Sequence, residues 1–140
     1  MAKGISFKIE FNKLPEVAEK VPQIAEQKIK EATLVWHGSV VELLSGTRSG
    51  RVYRVPGTKK TYRASAPGEP PAQRTNTLRS KYGFQFGKEM GNPIGQVGNP
   101  LEYSLYLEKG TSKMAPRPHL VKAFDIKRQI IIGILTRDWF

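Results

Sequence analysis

The sequence predicts an α+β fold: a small, mostly antiparallel sheet packed by one long N-terminal helix and a C-terminal helix, with a long basic loop. Three observations carry that expectation. Apolar residues recur every three to four positions from Pro22 to Leu44, and again after Pro118. Short strand-like stretches bounded by Gly, Asn and Pro lie at 5–11 and 82–97. Residues 46–76 show no long period at all. A chain of 140 residues fits one domain, 1–140, and buries about two-thirds of the surface its unfolded form exposes.

Ile5, Phe7, Ile9 and Phe11 alternate with Ser6, Lys8 and Glu10, the pattern of a half-buried strand. Asn12 and Pro15 signal a turn into helix. Ala25, Ile29, Ala32, Trp36, Val40 and Leu43 then mark one helical face. Pro22 suits a first turn, where its missing N–H is no loss, and Ser45-Gly46 supplies the stop. Such a helix is about 35 Å long. Glu26, Lys28, Lys30 and Glu31 fall on its solvated or partner-facing side.

In the loop, only Val52–Val55 and Thr61–Arg63 are able to pair as short strands. The rest of 46–76 reads as an extended arm, bent by the prolines of Ala66–Pro71. Tyr82–Phe86 reads as a strand, and the doubled Gly-Asn-Pro at 91–93 and 98–100 brackets a second, Ile94–Val97. Leu101–Leu107 makes two helical turns. Pro116 and Pro118 precede the last helix, with Leu120, Phe124, Ile131, Ile134 and Leu135 on or near one face.

Chemistry is sparse. There is no cysteine, hence no disulfide and no thiolate site. His37 and His119 stand in separate elements and make no zinc site; each is expected to be a surface or packing residue. Gly-x-Ser-x-Gly is absent, and Gly87-Lys88 is followed by Glu89, which fails the phosphate-loop pattern. Glu102 and Glu108 lack a third group and read as structural. The expectation is a protein that is not an enzyme, with no catalytic residue, cofactor or metal. Ile130–Leu135 is far too short to span a bilayer, and no secretory segment opens the chain, so a soluble protein without a membrane partner is expected.

Charge is the informative feature. Between Glu42 and Glu89 ten bases face one acid, Glu69, whereas the flanking segments are nearly balanced. Arg48, Arg51, Arg54, Lys59, Lys60, Arg63 and Arg74, interleaved with Tyr53 and Tyr62, are the candidate partner-facing or DNA-facing set. Arginine and lysine neutralise phosphates while tyrosines stack on bases. Arginine forks grip protein carboxylates equally well. No helix-turn-helix or finger accompanies the charge, so sequence-specific reading is not expected.

Two segments carry a resemblance. The first runs Ser49-Gly50-Arg51-Val52-Tyr53-Arg54, then Ala64–Ala72 with Pro67, Gly68, Glu69 and Pro70, then Thr75-Asn76-Thr77-Leu78-Arg79-Ser80. The second runs Tyr103–Met114 with Glu108, Gly110 and Thr111, closing on Arg117-Pro118-His119-Leu120. With the early helix they span most of 22–125, and the chain resembles the neck and tail-completion proteins of tailed bacteriophages, minor tail proteins included. His119 stands where that family often has an aromatic, and Asn76 where a glycine is common.

The resemblance implies a structural virion protein at the head–tail junction, made in the host cytoplasm. It implies a ring, commonly six-fold, around the DNA channel. Neighbours would be head-connector and tail-tube or tail-terminator proteins, with DNA in the lumen a further contact. The alternative is a small basic, non-sequence-specific nucleic-acid-binding protein. Within the second segment, Gly110 is suited to a positive φ that ends a helix, and Thr111 to satisfying backbone groups at a turn. Glu108 beside Lys109, Lys113 and Arg117 suggests an ion-pair clamp. That turn reads either as a connection within the core or as a subunit contact.

Overall fold

The computed structural model describes residues 14–73 and 75–140. The strand expected at 5–11 and the basic residue Arg74 lie outside the described residues. Elements follow in the order α1 (Leu14–Ser45), β1 (Val52–Arg54), β2 (Thr61–Arg63), α2 (Thr77–Ser80), β3 (Gly83–Glu89), β4 (Asn92–Gly98), α3 (Glu102–Lys109) and α4 (Leu120–Thr136). The fold is α+β, and among the described residues the strands form two separate antiparallel hairpins, β1–β2 and β3–β4.

Helix α1 begins a full two turns before Pro22, which sits inside it. The ring cannot donate to Ala18, but both residues are exposed, so water takes the free carbonyl. At about 48 Å the helix is the surface on which the rest assembles. The core gathers Val40 and Leu44 from α1, Tyr82, Val97 from β4 and Ala123 from α4, bordered by Trp36, Leu43, Leu78 and Leu120. Helix α4 runs antiparallel to α1. Ser39 Oγ donates to the Ala123 carbonyl at 2.8 Å, and the Trp36 indole donates to Leu120 at 2.9 Å. Trp36 also meets Phe124 edge-on, centroids 5.3 Å apart.

Lys28 departs from its expected solvated position. It is buried, and its ammonium donates to the carbonyls of Ile134 (3.0 Å) and Arg137 at the C-terminal end of α4, 5.6 Å from the Trp139 ring centroid. Those carbonyls lack intrahelical partners and carry the negative end of the helix dipole, so a cation placed there replaces water.

The β3–β4 ladder runs from Gly83↔Gly98 to Glu89↔Asn92. Its two-residue loop is Met90-Gly91, both at positive φ (50 and 81), the pattern of a type I′ turn. The first Gly-Asn-Pro is therefore split: Gly91 turns, while Asn92 and Pro93 already belong to β4. In the second, the Asn99 amide donates to Leu78 and its carbonyl oxygen accepts from the Leu101 N–H, both in the 2.8–2.9 Å range. Helix α1 crosses the hairpin chiefly over β4. Gly95 permits that approach, because a Cβ there would lie 1.8 Å from Thr33 Oγ1 and 3.0 Å from Thr33 Cβ. The substitution Gly95→Ala is expected to lower stability by about 1–3 kcal/mol through overpacking, read as a reduced urea midpoint with an unchanged m-value.

Candidate functional site

The charged segment is organised from its base outward. Arg48 follows α1 and turns inward: its guanidinium donates to the carbonyls of Leu43 (2.8 Å), Thr47 (2.8 Å) and Pro71 (3.1 Å). Burial lowers its pKa, with nearby Glu69 opposing that shift. It serves as a C-terminal cap for α1 and a tie to the proline-rich stretch. Pro70 and Pro71 are buried, and the Gly68 N–H, at φ 82, reaches the Pro116 carbonyl at 3.4 Å. The proline-rich stretch is thus packed on the body instead of forming part of a free arm.

Glu69 fixes the root. Its carboxylate accepts the Ala66 N–H (2.8 Å), the Ser49 N–H (3.1 Å) and the Ser49 hydroxyl. Those bonds, Ser49 first, then the backbone of Ala66 and Ser49, hold its pKa down to about 2. Just above, the Gly50 N–H donates to Ala64 at 2.9 Å, and the Ala64 N–H to Arg51 at 2.8 Å. A Cβ on Gly50 would lie 2.4 Å from the Ala64 carbonyl oxygen, so only glycine fits.

From that root the β1–β2 hairpin extends, with Val52↔Arg63, Tyr53↔Tyr62 and Arg54↔Thr61 in register. Neither strand packs extensively on a helix or on the other hairpin. At the tip the Thr58 N–H reaches Val55 at 3.1 Å around Pro56-Gly57, Gly57 taking φ 76, as Pro-Gly turns favour. Tyr53 and Tyr62 stack at 6.0 Å with 29° between planes, and the Arg51 guanidinium lies 5.9 Å from the Tyr53 ring centroid. Arg54 donates to Thr58 and Arg63 to Gly50, both at 3.0 Å. Among the described residues no salt bridge joins Arg51, Arg54, Lys59, Lys60 or Arg63 to a carboxylate. The hairpin therefore presents a stacked aromatic pair, Tyr53 exposed and Tyr62 half-buried, amid cations that pair with no carboxylate among the described residues.

The second motif segment lies at the junction of α3 and α4. Gly110, at φ 76, closes α3 with its N–H on Tyr106 (2.8 Å), and Thr111 bridges to Met114. Glu108 does not clamp the nearby lysines. It accepts the N–H groups of His119 (2.9 Å), Leu120 (3.0 Å) and Val121 (3.1 Å), capping the N-terminus of α4. Burial pushes its pKa up, but these three donors and the neighbouring His119 outweigh that and leave it lowered. Arg117, fixed by its N–H on Leu107 (2.6 Å), reaches the Ser65 carbonyl, and Pro118 sets the chain direction into His119.

His119 is fully buried. Its Nδ1 faces two acceptors, the Arg117 carbonyl (2.9 Å) and Glu108 (3.0 Å), so Nδ1 carries the hydrogen and Nε2 accepts the Tyr82 hydroxyl. Tyr82 in turn meets Ser104 at 2.9 Å, and burial pushes its phenol up to about 12 despite the Ser104 bond. The Glu108–His119–Tyr82–Ser104 chain escaped sequence reasoning because its members come from three separate places, α3, the residue before β3 and the residue before α4, and no local pattern joins them. It is buried polar architecture, not a solvent-facing constellation.

Asn76 adopts the left-handed conformation (φ 62), which asparagine tolerates better than most residues and which glycine adopts freely. Beside it a groove of about 420 Å³ is walled by Leu44, Pro71, Leu78, Tyr103 and Leu107. Among the described residues no group of three or more His, Asp or Glu could hold a metal ion, and no helix is long and apolar enough to cross a membrane. Comparison with protein-family models, curated proteins and solved structures gives no match to this chain.

The Glu69 carboxylate supplies a pH test. Its folded pKa lies below its unfolded value, so its contribution is complete above the usual carboxylate range and disappears as pH falls toward about 2. Amide exchange at Ser49 and Ala66 is expected to accelerate, beyond the intrinsic pH trend, as pH drops from 5 to 2. In Glu69→Gln the same amides are expected to exchange fast throughout, with no such pH step.

Proposed function

We propose that this chain is a structural subunit of the neck of a tailed bacteriophage, acting in tail completion by joining the head connector to the tail. Copies close into a ring, six-fold in the leading form, around the DNA channel. The helices and β3–β4 make the ring body, and each β1–β2 hairpin reaches the adjoining ring. The observation that carries this reading is the hairpin itself: a firmly rooted basic projection whose charges pair with no carboxylate among the described residues. Like-charged projections repel one another, so ring closure places them against something negative. Head-connector and tail-tube or tail-terminator surfaces are the partners, and DNA in the lumen is a further one. The resemblance of Ser49–Ser80 and Tyr103–Leu120 to neck proteins supports the same reading.

A second reading has its own support. Tyr53 stacked on Tyr62 with Arg51 at its face is a base-stacking platform beside phosphate-binding cations, which suits a small nucleic-acid-binding protein.

One set of variants separates them. Arg51→Gln, Lys59→Gln and Lys60→Gln together are expected to leave the ring mass unchanged in native mass spectrometry. Association with connector or tail rings is expected to fall at least tenfold. If nucleic acid is the partner, DNA affinity falls instead, and its salt slope drops by about one per base removed. A wild-type protein that stays monomeric beside every connector and tail component overturns the neck reading.

A further inference from the structure

The groove beside Asn76 combines an apolar interior with positive charge that the chain does not neutralise. Leu44 and Pro71 are buried, Leu78 and Leu107 are half-buried, and Tyr103 stays 44% exposed, so the depth is apolar and the rim aromatic. Its volume of about 420 Å³ falls in the range of clefts that enclose a ligand, about 300–1,000 Å³. Two guanidinium groups, Arg79 and Arg117, also line it, and among the described residues no aspartate or glutamate does. Both are half-buried. Arg79 donates to Ser45 Oγ at 2.8 Å and Arg117 to the Ser65 carbonyl. Each has five N–H donors, so those bonds leave most of them unspent. Among the described residues neither pairs with a carboxylate.

The groove shares its root with the basic hairpin. Ser65, on its wall, follows β2 by two residues, and Pro71, also on its wall, is held by the Arg48 guanidinium. A molecule drawn to the hairpin therefore has the groove beside it. Tyr103, Tyr106 and Leu107 stand at i, i+3 and i+4 on α3, so one helix face continues the apolar wall past the groove. Tyrosine and arginine around an apolar centre is the composition of sites that anchor another protein. The phosphates of a nucleic acid would use the guanidinium groups and leave the apolar depth unfilled. A peptide with a large apolar residue next to an acid uses both: the side chain leaves water, and the carboxylate meets a guanidinium fork.

We propose that this groove receives a short protein segment with a large apolar residue next to an aspartate or glutamate, supplied by the neighbour that the β1–β2 hairpin contacts. The apolar side chain settles against Leu78, Tyr103 and Leu107, and the carboxylate pairs with Arg79 or Arg117. The assignment rests on the partner-facing reading of the hairpin above. It makes that partner a protein surface, with the hairpin attracting it at long range and the groove fixing its position.

The probe is a displayed library of short random peptides, selected on the full chain carrying Arg51→Gln, Lys59→Gln and Lys60→Gln, so that the groove is read and not the hairpin charge. Enriched sequences are expected to place leucine, phenylalanine, tryptophan or methionine next to an acid. A fluorescent synthetic copy of the best of them is expected to bind about tenfold more weakly after Tyr103→Ser or Arg79→Gln, with an unchanged urea midpoint. Tyr103→Phe is expected to retain binding. Enrichment without acids, or binding that survives both substitutions, would overturn the assignment. So would oligothymidylate binding that Tyr103→Ser abolishes, which makes the occupant a nucleic acid. Groove variants that still associate with connector and tail rings, where hairpin variants do not, remove the groove and leave the neck reading standing. A wild-type chain that meets no neck ring yet holds the peptide through Tyr103 and Arg79 removes the neck reading and leaves the groove.

Discussion

One carboxylate, Glu69, determines what the charged third of this chain is able to do. It is the sole acid between Glu42 and Glu89, and among the described residues its hydrogen bonds go to Ser49 and Ala66 on either side of the hairpin root. Had it paired with one of the arginines above it, the hairpin would be partly neutralised and its base loose. Bound to backbone donors, it instead stiffens the root and leaves the cations outward. Gly50 completes the arrangement, since the two chains approach there too closely for any side chain. Rigidity at the base and unmatched charge beyond it come from the same set of bonds.

The body applies the same logic to a helix. Helix α4 has no side-chain cap from His119 at its N-cap and no basic residue in its last turn. Its free N–H groups are met by Glu108 at the end of α3, and its free carbonyls by Lys28 from the middle of α1. A carboxylate at the positive end and an ammonium at the negative end both match the dipole. Both caps arrive from other elements, so α4 is completed only when the tertiary structure is. The buried run from Glu108 through His119 and Tyr82 to Ser104 ties α3, the start of β3 and the start of α4 together in one network, where losing any member would strand a polar group.

Periodicity and turn chemistry made much of this fold legible. The long helix, the Gly110 stop, the Val52/Thr61 pairing and the β3–β4 hairpin follow from local pattern. What stayed hidden was tertiary. Lys28 has the sequence neighbourhood of a solvated residue, and only the packing of α4 on α1 brings carbonyls to it. Pro22 resembles a helix start because a missing N–H is no loss in a first turn, yet exposure lets a helix run through it. Arg48 reads as one more loop cation, but its distance from the end of α1 makes it a cap. Glu108 was visible as an acid among bases, while its actual partners, three N–H groups eleven to thirteen positions away, are set by the turn that Gly110 and Pro118 shape.

Two exposed surfaces differ in kind and in place. The β1–β2 hairpin starts beyond the C-terminal end of α1 and offers charge. Strand β3 lies along the middle of α1 and keeps Phe84 and Phe86 half-exposed beside His37 and Lys30. Charge attracts at long range and tolerates imperfect fit, which suits contact with an acidic surface on a different molecule. Half-exposed aromatic rings act only at short range, where apolar area leaves water and shapes must match. The two therefore differ in reach: the charge of the hairpin is felt before surfaces meet, and the two phenylalanines contribute only once they are in contact.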